Sequence, residues 1–242
     1  MINDMQKWFE KIGGKVNTSF FIASCILLLT GCQHLQQSKF EKNGPYEKNF
    51  EIIGSEKDAL IGKVNPAIFN TVNRSNENAK NLERVVLTKK GTKVTLQPGR
   101  YTISGYPVGN IFIYDENDDL VTREIVGYVG GVNSLTVDIE ETYTVFADGG
   151  YDNVSFAPMP TALFTELSAG IWEVGLDIES GEYIVTSPSG LGYLEIHERE
   201  KEPLLFEIIG GDPIRSESRV QLKDGQKLRI KHLSVVNFEP LE

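Results

Sequence analysis

The hexapeptide Leu96-Gln97-Pro98-Gly99-Arg100-Tyr101 returns 82 residues later as Ile178-Glu179-Ser180-Gly181-Glu182-Tyr183. Phe156-Ala157-Pro158 returns at the same separation as Phe238-Glu239-Pro240. With one residue inserted between these anchors, Gly109, Ile111 and Ile113 align with Gly192, Leu194 and Ile196. Val137, Ile139 and Val145 likewise align with Val220, Leu222 and Leu228. The agreement lies in turn glycines and in apolar positions that alternate as strands do. That is what duplicated architecture without shared chemistry leaves behind. The chain must therefore fold as two copies of one unit.

The unit is written in strands and tight turns. Val85 to Thr88 is β-branched and apolar, Lys90-Gly91 is a turn, and Lys93 to Leu96 alternates again. In Gln97-Pro98-Gly99, Pro presets φ at the second turn position and Gly accepts the third, and Arg100 to Ile103 returns as the partner strand. Short strands at regular spacing predict a sandwich or barrel. The expected fold is all-β: two tandem antiparallel β-sandwich, jelly-roll-like domains at residues 85–160 and 167–242, with Thr161 to Gly170 as connector. Residues 65–84 are expected to form a short helical or irregular element. Asn65 would cap it, Pro66 would open it, and Ile68, Val72, Ala79, Leu82 and Val86 would share one face. The helix should break near Asn73, where short polar side chains compete with the helical backbone.

The N-terminus has a different grammar. Lys7, Lys11 and Lys15 precede an apolar run from Phe20 to Leu29, which closes on Leu29-Thr30-Gly31-Cys32. A membrane-spanning helix needs about 20 apolar residues, and this run is half that. The order of basic segment, short apolar run, small residues and Cys resembles the type II signal peptide of bacterial lipoproteins. The resemblance implies that residues 1–31 are removed and that a diacylglyceryl group is attached to the Cys32 sulfur. Cys32 would then hold the protein to the extracytoplasmic face of the cell membrane, since two acyl chains suffice for stable anchoring. Residues 32–64 then read as lipidated Cys and tether, polar from Gln33 to Asn49 and interrupted by Gly44-Pro45.

A second resemblance lies in Val174-Gly175-Leu176-Asp177-Ile178-Glu179-Ser180-Gly181-Glu182-Tyr183, followed by Gly192-Tyr193. It is similar to a small β-domain that recurs in surface proteins and lipoproteins of Gram-positive bacteria. The first repeat keeps Gly99 and Tyr101 but lacks the valine-glycine and the aspartate. The resemblance implies a surface module without catalytic residues and favours a Gram-positive envelope.

Charge narrows the partners. The chain has 24 Lys+Arg against 34 Asp+Glu, and loss of residues 1–31 takes the net charge from −10 to −11. Residues 33–84 are near neutral, so the acidity belongs to the two repeats. Phosphate attraction would be reversed, which argues against nucleic acid and against anionic wall polymers. Both cysteines, Cys25 and Cys32, fall in or next to the signal segment, so the repeats carry no disulfide, thiol nucleophile or thiolate ligand.

Candidate chemistry is sparse. Asp115, Asn117 and Asp119 alternate as in the opening of a calcium loop, where hard oxygens converge on one ion. Leu120 at the sixth position and Val126 at the twelfth exclude an EF-hand, and an acidic turn explains the same residues. His34 lies in the tether, His197 is expected on a solvated strand face with Tyr193 and Glu195, and His232 closes a strand. No nucleophile–base pair carries a recognisable local motif, so neither an enzyme nor a cofactor is expected. Gly130-Gly131, Gly149-Gly150 and Gly210-Gly211 lack phosphate-loop context and read as turns or bulges. Tyr101 and Tyr183, at equivalent repeat positions, read as packing residues. Tyr106, Tyr128 and Tyr151 lie beside glycine or proline and are expected in loops, where aromatics anchor protein partners or stack on sugars. The function expected is a non-catalytic binding module for a protein or other envelope partner; the alternative is a carbohydrate-binding surface module using those three tyrosines.

Overall fold

The computed structural model describes residues 48–241 apart from 212 and 214. The signal segment, Cys32 and most of the stretch read as tether lie outside the described residues. The fold is all-β, as expected. The first repeat contributes β1 (Leu82–Val85), β2 (Thr92–Val94), β3 (Gly99–Tyr106), β4 (Gly109–Tyr114), β5 (Leu120–Val126), β6 (Leu135–Ile139), β7 (Thr144–Gly149) and β8 (Asn153–Pro158). The second contributes β9 (Glu166–Leu167), β10 (Ala169–Glu173), β11 (Gly181–Thr186), β12 (Gly190–His197), β13 (Leu204–Gly210), β14 (Ser218–Leu222), β15 (Lys227–Lys231) and β16 (Val236–Pro240).

Within the first repeat the orders are β1-β8-β3-β6 and β2-β7-β4-β5; within the second they are β9-β16-β11-β14 and β10-β15-β12-β13. Both are the strand orders of an eight-stranded jelly roll. The repeat holds down to register. Ile111 faces Ala147 and Ile113 faces Val145, as Leu194 faces Ile230 and Ile196 faces Leu228. Tyr101 faces Val137 and Pro158, as Tyr183 faces Val220 and Pro240. Apart from the two prolines these aligned apolar residues are buried, because strand side chains alternate and only one alternate set can face a core.

The two sandwiches are fused. β6 and β10 pair in parallel, Ala169 with Leu135 and Gly170 with Thr136, making one continuous sheet of eight strands. Gly170 belongs there because a Cβ would stand 1.9 Å from the Thr136 carbonyl oxygen. On β10, Ile171 enters the first core while its neighbour Trp172 enters the second. Adjacent strand residues point to opposite faces, so the two cores lie on opposite faces of the shared sheet. The segment read as a connector up to Gly170 thus already supplies β9 and the start of β10.

The approach to the repeats differs from expectation. The helix lies earlier, as α1 (Gly54–Ile61), inside the stretch read as tether. Its apolar residues Ala59, Leu60 and Ile61 bunch at one end rather than recurring every third or fourth position, which hides it from periodicity. Ile52 and Ile61 form a small third core with Leu205, flanked by Leu60, Val64 and Tyr193. The Ile52 amide donates to the Leu205 carbonyl at 2.8 Å. Asn65 does cap Pro66–Phe69, accepting from the Ala67 amide at 2.9 Å, but only one 3₁₀ turn forms. Asn73 then diverts the chain, its side chain accepting from the Ser75 amide, and Leu82 joins β1 instead of a helix. Residues 51–79 are a belt across both repeats.

Strand directions place the turns. The β1–β2, β3–β4, β5–β6 and β7–β8 turns share one end of the first sandwich, and the remaining three share the other. Parallel pairing of β6 with β10 aligns the second sandwich the same way. The belt ties the latter end, through Asn65 to Asp115, Arg74 to Asp138 and Asn76 to the Met159 carbonyl. The former end is free of it and carries all three singled-out tyrosines.

Candidate functional site

Tyr106 ends β3, Tyr128 follows β5 and Tyr151 follows β7, so the topology gathers them at one end. Two are exposed, Tyr106 at 55% and Tyr128 at 83%. Tyr151 is a correction: it is buried, and it is no stacking platform. Its ring lies across Gly105 and Gly109, where an added Cβ would come within 2.2–2.4 Å of ring carbons. Its hydroxyl donates to the Val126 carbonyl at 2.7 Å. Burial pushes the phenol well above its ordinary pKa, so it remains a donor. The two exposed tyrosines ride on loops in direct contact. The Val129 amide donates to the Pro107 carbonyl, and a Cβ on Gly127 would stand 2.4 Å from that same oxygen. Tyr151 is the buried post beneath both loops.

The acidic loop at the belt end has another occupation. Asp115 is buried; its Oδ1 accepts from the Asn117 and Asp119 amides and its Oδ2 from Asn65 Nδ2 at 2.8 Å. The Asn65 bond, then those amides, hold its carboxyl below the ordinary range. Asn117 and Asp119 are exposed, and Asp119 lies 3.7 Å from Lys63. The three do not converge, and no group of three or more potential His, Cys, Asp or Glu ligands occurs among the described residues. The local peptide organises a turn.

Both described histidines are engaged. His197 is buried, not solvated, because the belt covers that face; its Nε2 lies 2.8 Å from Glu195 Oε2. Arg229 Nε and Lys231 Nζ reach the same carboxylate at 2.7 and 2.9 Å. Burial alone would raise the Glu195 pKa, but the His197 bond and the two cations outweigh it and bring it to about 2. His232 joins the repeats: its amide and Nδ1 meet the buried Glu124 carboxylate on β5 at 2.9 and 3.0 Å. That bond raises its pKa.

A larger ionic cluster welds the repeats to the belt. Arg74 pairs with Asp138 and Asp177, and Arg100 pairs with Asp138 at 2.9 Å and Asp177 at 3.1 Å. Arg100 lies 4.7 Å over the Trp172 ring. Burial pushes the Asp177 carboxyl up, and Arg100 and Arg74 work against that shift. These groups were missed from sequence, although one signal existed: Arg100 and the exposed Glu182 occupy the same repeat position with opposite charge. A second missed feature is an aromatic strip on the outer face of the β2-β7-β4-β5 sheet. Phe112 stacks on Tyr114 at 10° and neighbours Phe146 at 6.0 Å, with Arg123 over Phe112.

Among the described residues no helix is long and apolar enough to cross a membrane. No protein-family model, curated protein or solved structure matches the chain.

Proposed function

We propose that this chain is a lipid-anchored, extracytoplasmic binding module without catalytic activity, held by Cys32 and contacting a protein or other envelope partner through the tyrosine end. The observation that carries the reading is the pair Tyr106 and Tyr128, exposed on two loops that Tyr151, Gly127 and the Val129–Pro107 bond hold together. Rigid exposed aromatics bind at low entropic cost. The reading without catalysis is supported by the partners of the described titrating groups: Glu195, His197, Glu124 and Asp177 all bond to other groups of the chain. The anchor is supported by the sequence around Cys32.

Two variants test the halves separately. Cys32→Ala should move the protein from the membrane to the soluble fraction, and its persistence in the membrane would sink the anchor. Tyr106→Ser with Tyr128→Ser should abolish crosslinking of the anchored protein to its neighbour on living cells; unchanged capture would discard the tyrosine end.

A carbohydrate-binding role is the second reading, favoured by the near-parallel rings of Phe112 and Tyr114 on one sheet face rather than by the loop tyrosines. Aromatic faces can stack on sugars. Glycan-array binding lost in Phe112→Ala and retained in Tyr128→Ser would select it.

A further inference from the structure

The two ends of the first sandwich are chemically opposite. Its belt-end turns hold Asp115, Glu116, Asp118, Asp119, Glu140 and Glu141, with no basic residue. The turns at the tyrosine end hold exposed Lys89 and Lys90 against Asp152 alone, and residues 104–110 and 127–135 contain no charge. The same end collects apolar surface. Among the described residues the five most exposed large hydrophobics are Tyr128 at 83%, Val86 at 75%, Val129 at 59%, and Tyr106 and Leu191 at 55%. All five lie there: Val86 just after β1, Tyr106 at the end of β3, Tyr128 and Val129 after β5, and Leu191 at the start of β12. Leu191 is joined to the others through the turn after β15, where Leu233 reaches the Gly190 site and Ser234 accepts from the Asn133 amide. The segment that follows β13 adds Arg215 against Asp212 and Glu217, so the end as a whole is near neutral while the protein is acidic. Isolated exposed hydrophobics need no explanation, but concentration of the most exposed ones at one near-neutral end of an acidic protein does.

We infer that this end docks on the anionic headgroup surface of the bilayer that holds the Cys32 anchor. The inference rests on the anchored-module reading and names the partner of the same loops. Tyrosine favours the membrane–water interface, where its ring is sheltered and its hydroxyl stays wet. Lys89 and Lys90 add attraction to anionic lipid, while the acidic end, which that surface would repel, points away. The anchor permits this seating. Glu51 bridges to Phe206 on β13, and β13 ends at Gly210 on the tyrosine end, about 14 Å further along. The fifteen residues 33–47 could span at most roughly 50 Å, ample to bring that end down to the lipid.

Because Cys32 is taken by lipid and Cys25 is lost with the signal segment, one introduced cysteine can carry a unique reporter. The experiment places an environment-sensitive dye at Asn133→Cys, beside the tyrosines, or at Asp118→Cys, on the opposite end. The full-length lipidated protein is reconstituted in phosphatidylcholine–phosphatidylglycerol vesicles containing spin-labelled lipid. The dye at 133 should shift to the blue and be quenched; the dye at 118 should do neither. Lys89→Glu with Lys90→Glu, and separately Tyr106→Ser, Tyr128→Ser and Val129→Ser together, should abolish the quenching at 133 while the protein stays with the vesicles. An unquenched 133 on vesicle-bound protein overturns the docking and leaves the anchor intact. So does self-quenching between copies without lipid quenching, which would assign the end to a second copy of the chain. Protein absent from the vesicles, with Cys32 unmodified by mass, overturns anchor and docking together.

Discussion

In the first repeat the outward cross-strand pair on β4 and β7 is Phe112 with Phe146; at the corresponding place on β12 and β15 it is Glu195 with Arg229. On the neighbouring faces, Arg100 of β3 is fully buried against Trp172, while Glu182 of β11 stands in solvent. Both sets match in register, but only the inward residues of the two copies also match in chemistry. Each outward face took the chemistry of what came to cover it: the belt over β12 and β13, and the second sandwich over β3 and β6. Duplication preserved the cores and left the outer faces free to specialise.

The sharpest way to break the comparison is to empty one position in both copies. Arg100→Ala strips Asp177 and Asp138 of a buried partner and uncovers the Trp172 ring. Loss of one partner of a buried pair costs about 3–5 kcal/mol. For a chain of this size that lowers Tm by roughly 6–20 °C. Glu182→Ala should stay within about 0.5 kcal/mol, as exposed substitutions do. Urea unfolding of the two variants checks the contrast; equal losses would mean that the buried Arg100 adds no net stability over its exposed counterpart.

Exchanging the outward pairs sharpens the comparison. Glu195→Ala leaves Arg229, Lys231 and His197 gathered without their anion and should cost about 3 kcal/mol. Glu195→Phe with Arg229→Phe, which copies the first repeat's pair into the second, should lose less than that single change, because buried ion pairs can be replaced by packed hydrophobics. The same carboxylate sets an acid limit. Its pKa in the folded protein, about 2, lies below the value near 4.5 of an unpaired glutamate, so its stabilisation is fully present above pH 4.5 and is lost as pH falls toward 2. The loss is on the order of 3 kcal/mol. Thermal melts between pH 6 and 2.5 should show the double Phe variant with a flatter slope than the native chain.

The positions that obeyed the repeat were legible because burial repeats with them. Ile111, Leu194, Val145 and Leu228 could be paired on paper through strand alternation and the turn glycines that both repeats share. Parallel pairing of β6 with β10 could not, since Leu135-Thr136 and Ala169-Gly170 carry no local sign that two separate repeats share a sheet. The burial of Glu195 and His197 was equally hidden: their strand predicts an outward face, and only the belt decides whether outward means solvent. Tyr151 misled because a loop beside Gly149-Gly150 reads as exposed, whereas its ring fills the hollow that Gly105 and Gly109 leave. Periodicity reports which side a residue faces, not what lies there.

Where the copies do agree, equal substitutions should have equal effects. Tyr101 donates its hydroxyl to the Gln97 carbonyl and Tyr183 to the Glu179 carbonyl, both at 2.9 Å. Each bond spans the turn that opens the central strand of its sandwich. Tyr101→Phe and Tyr183→Phe should each cost about 1 kcal/mol, the net worth of one such hydrogen bond, and the double variant should be additive. Calorimetry of the three proteins tests this, and a clear inequality would show that the fused sheet supports one turn more than the other.

The smallest expected effect concerns a titrating contact that joins the copies at the tyrosine end. His232 sits at φ +63° in the turn after β15, with its ring against Glu124 of the first repeat and edge-on to Tyr193. The Glu124 bond raises its pKa, while partial burial and the charges of Lys231 and Arg123 oppose the shift. A raised histidine stabilises most below its unfolded pKa, near 6.5, and its contribution fades as pH rises through the folded value. Half of the side chain is exposed, so screening keeps the effect under about 1 kcal/mol. The native protein should therefore melt slightly lower at pH 8.5 than at pH 6, and His232→Asn should remove that slope. Asn tolerates the positive φ, so the change tests the charge rather than the turn. A slope that survives the substitution would move the linkage to another group and leave His232 as a purely geometric clasp.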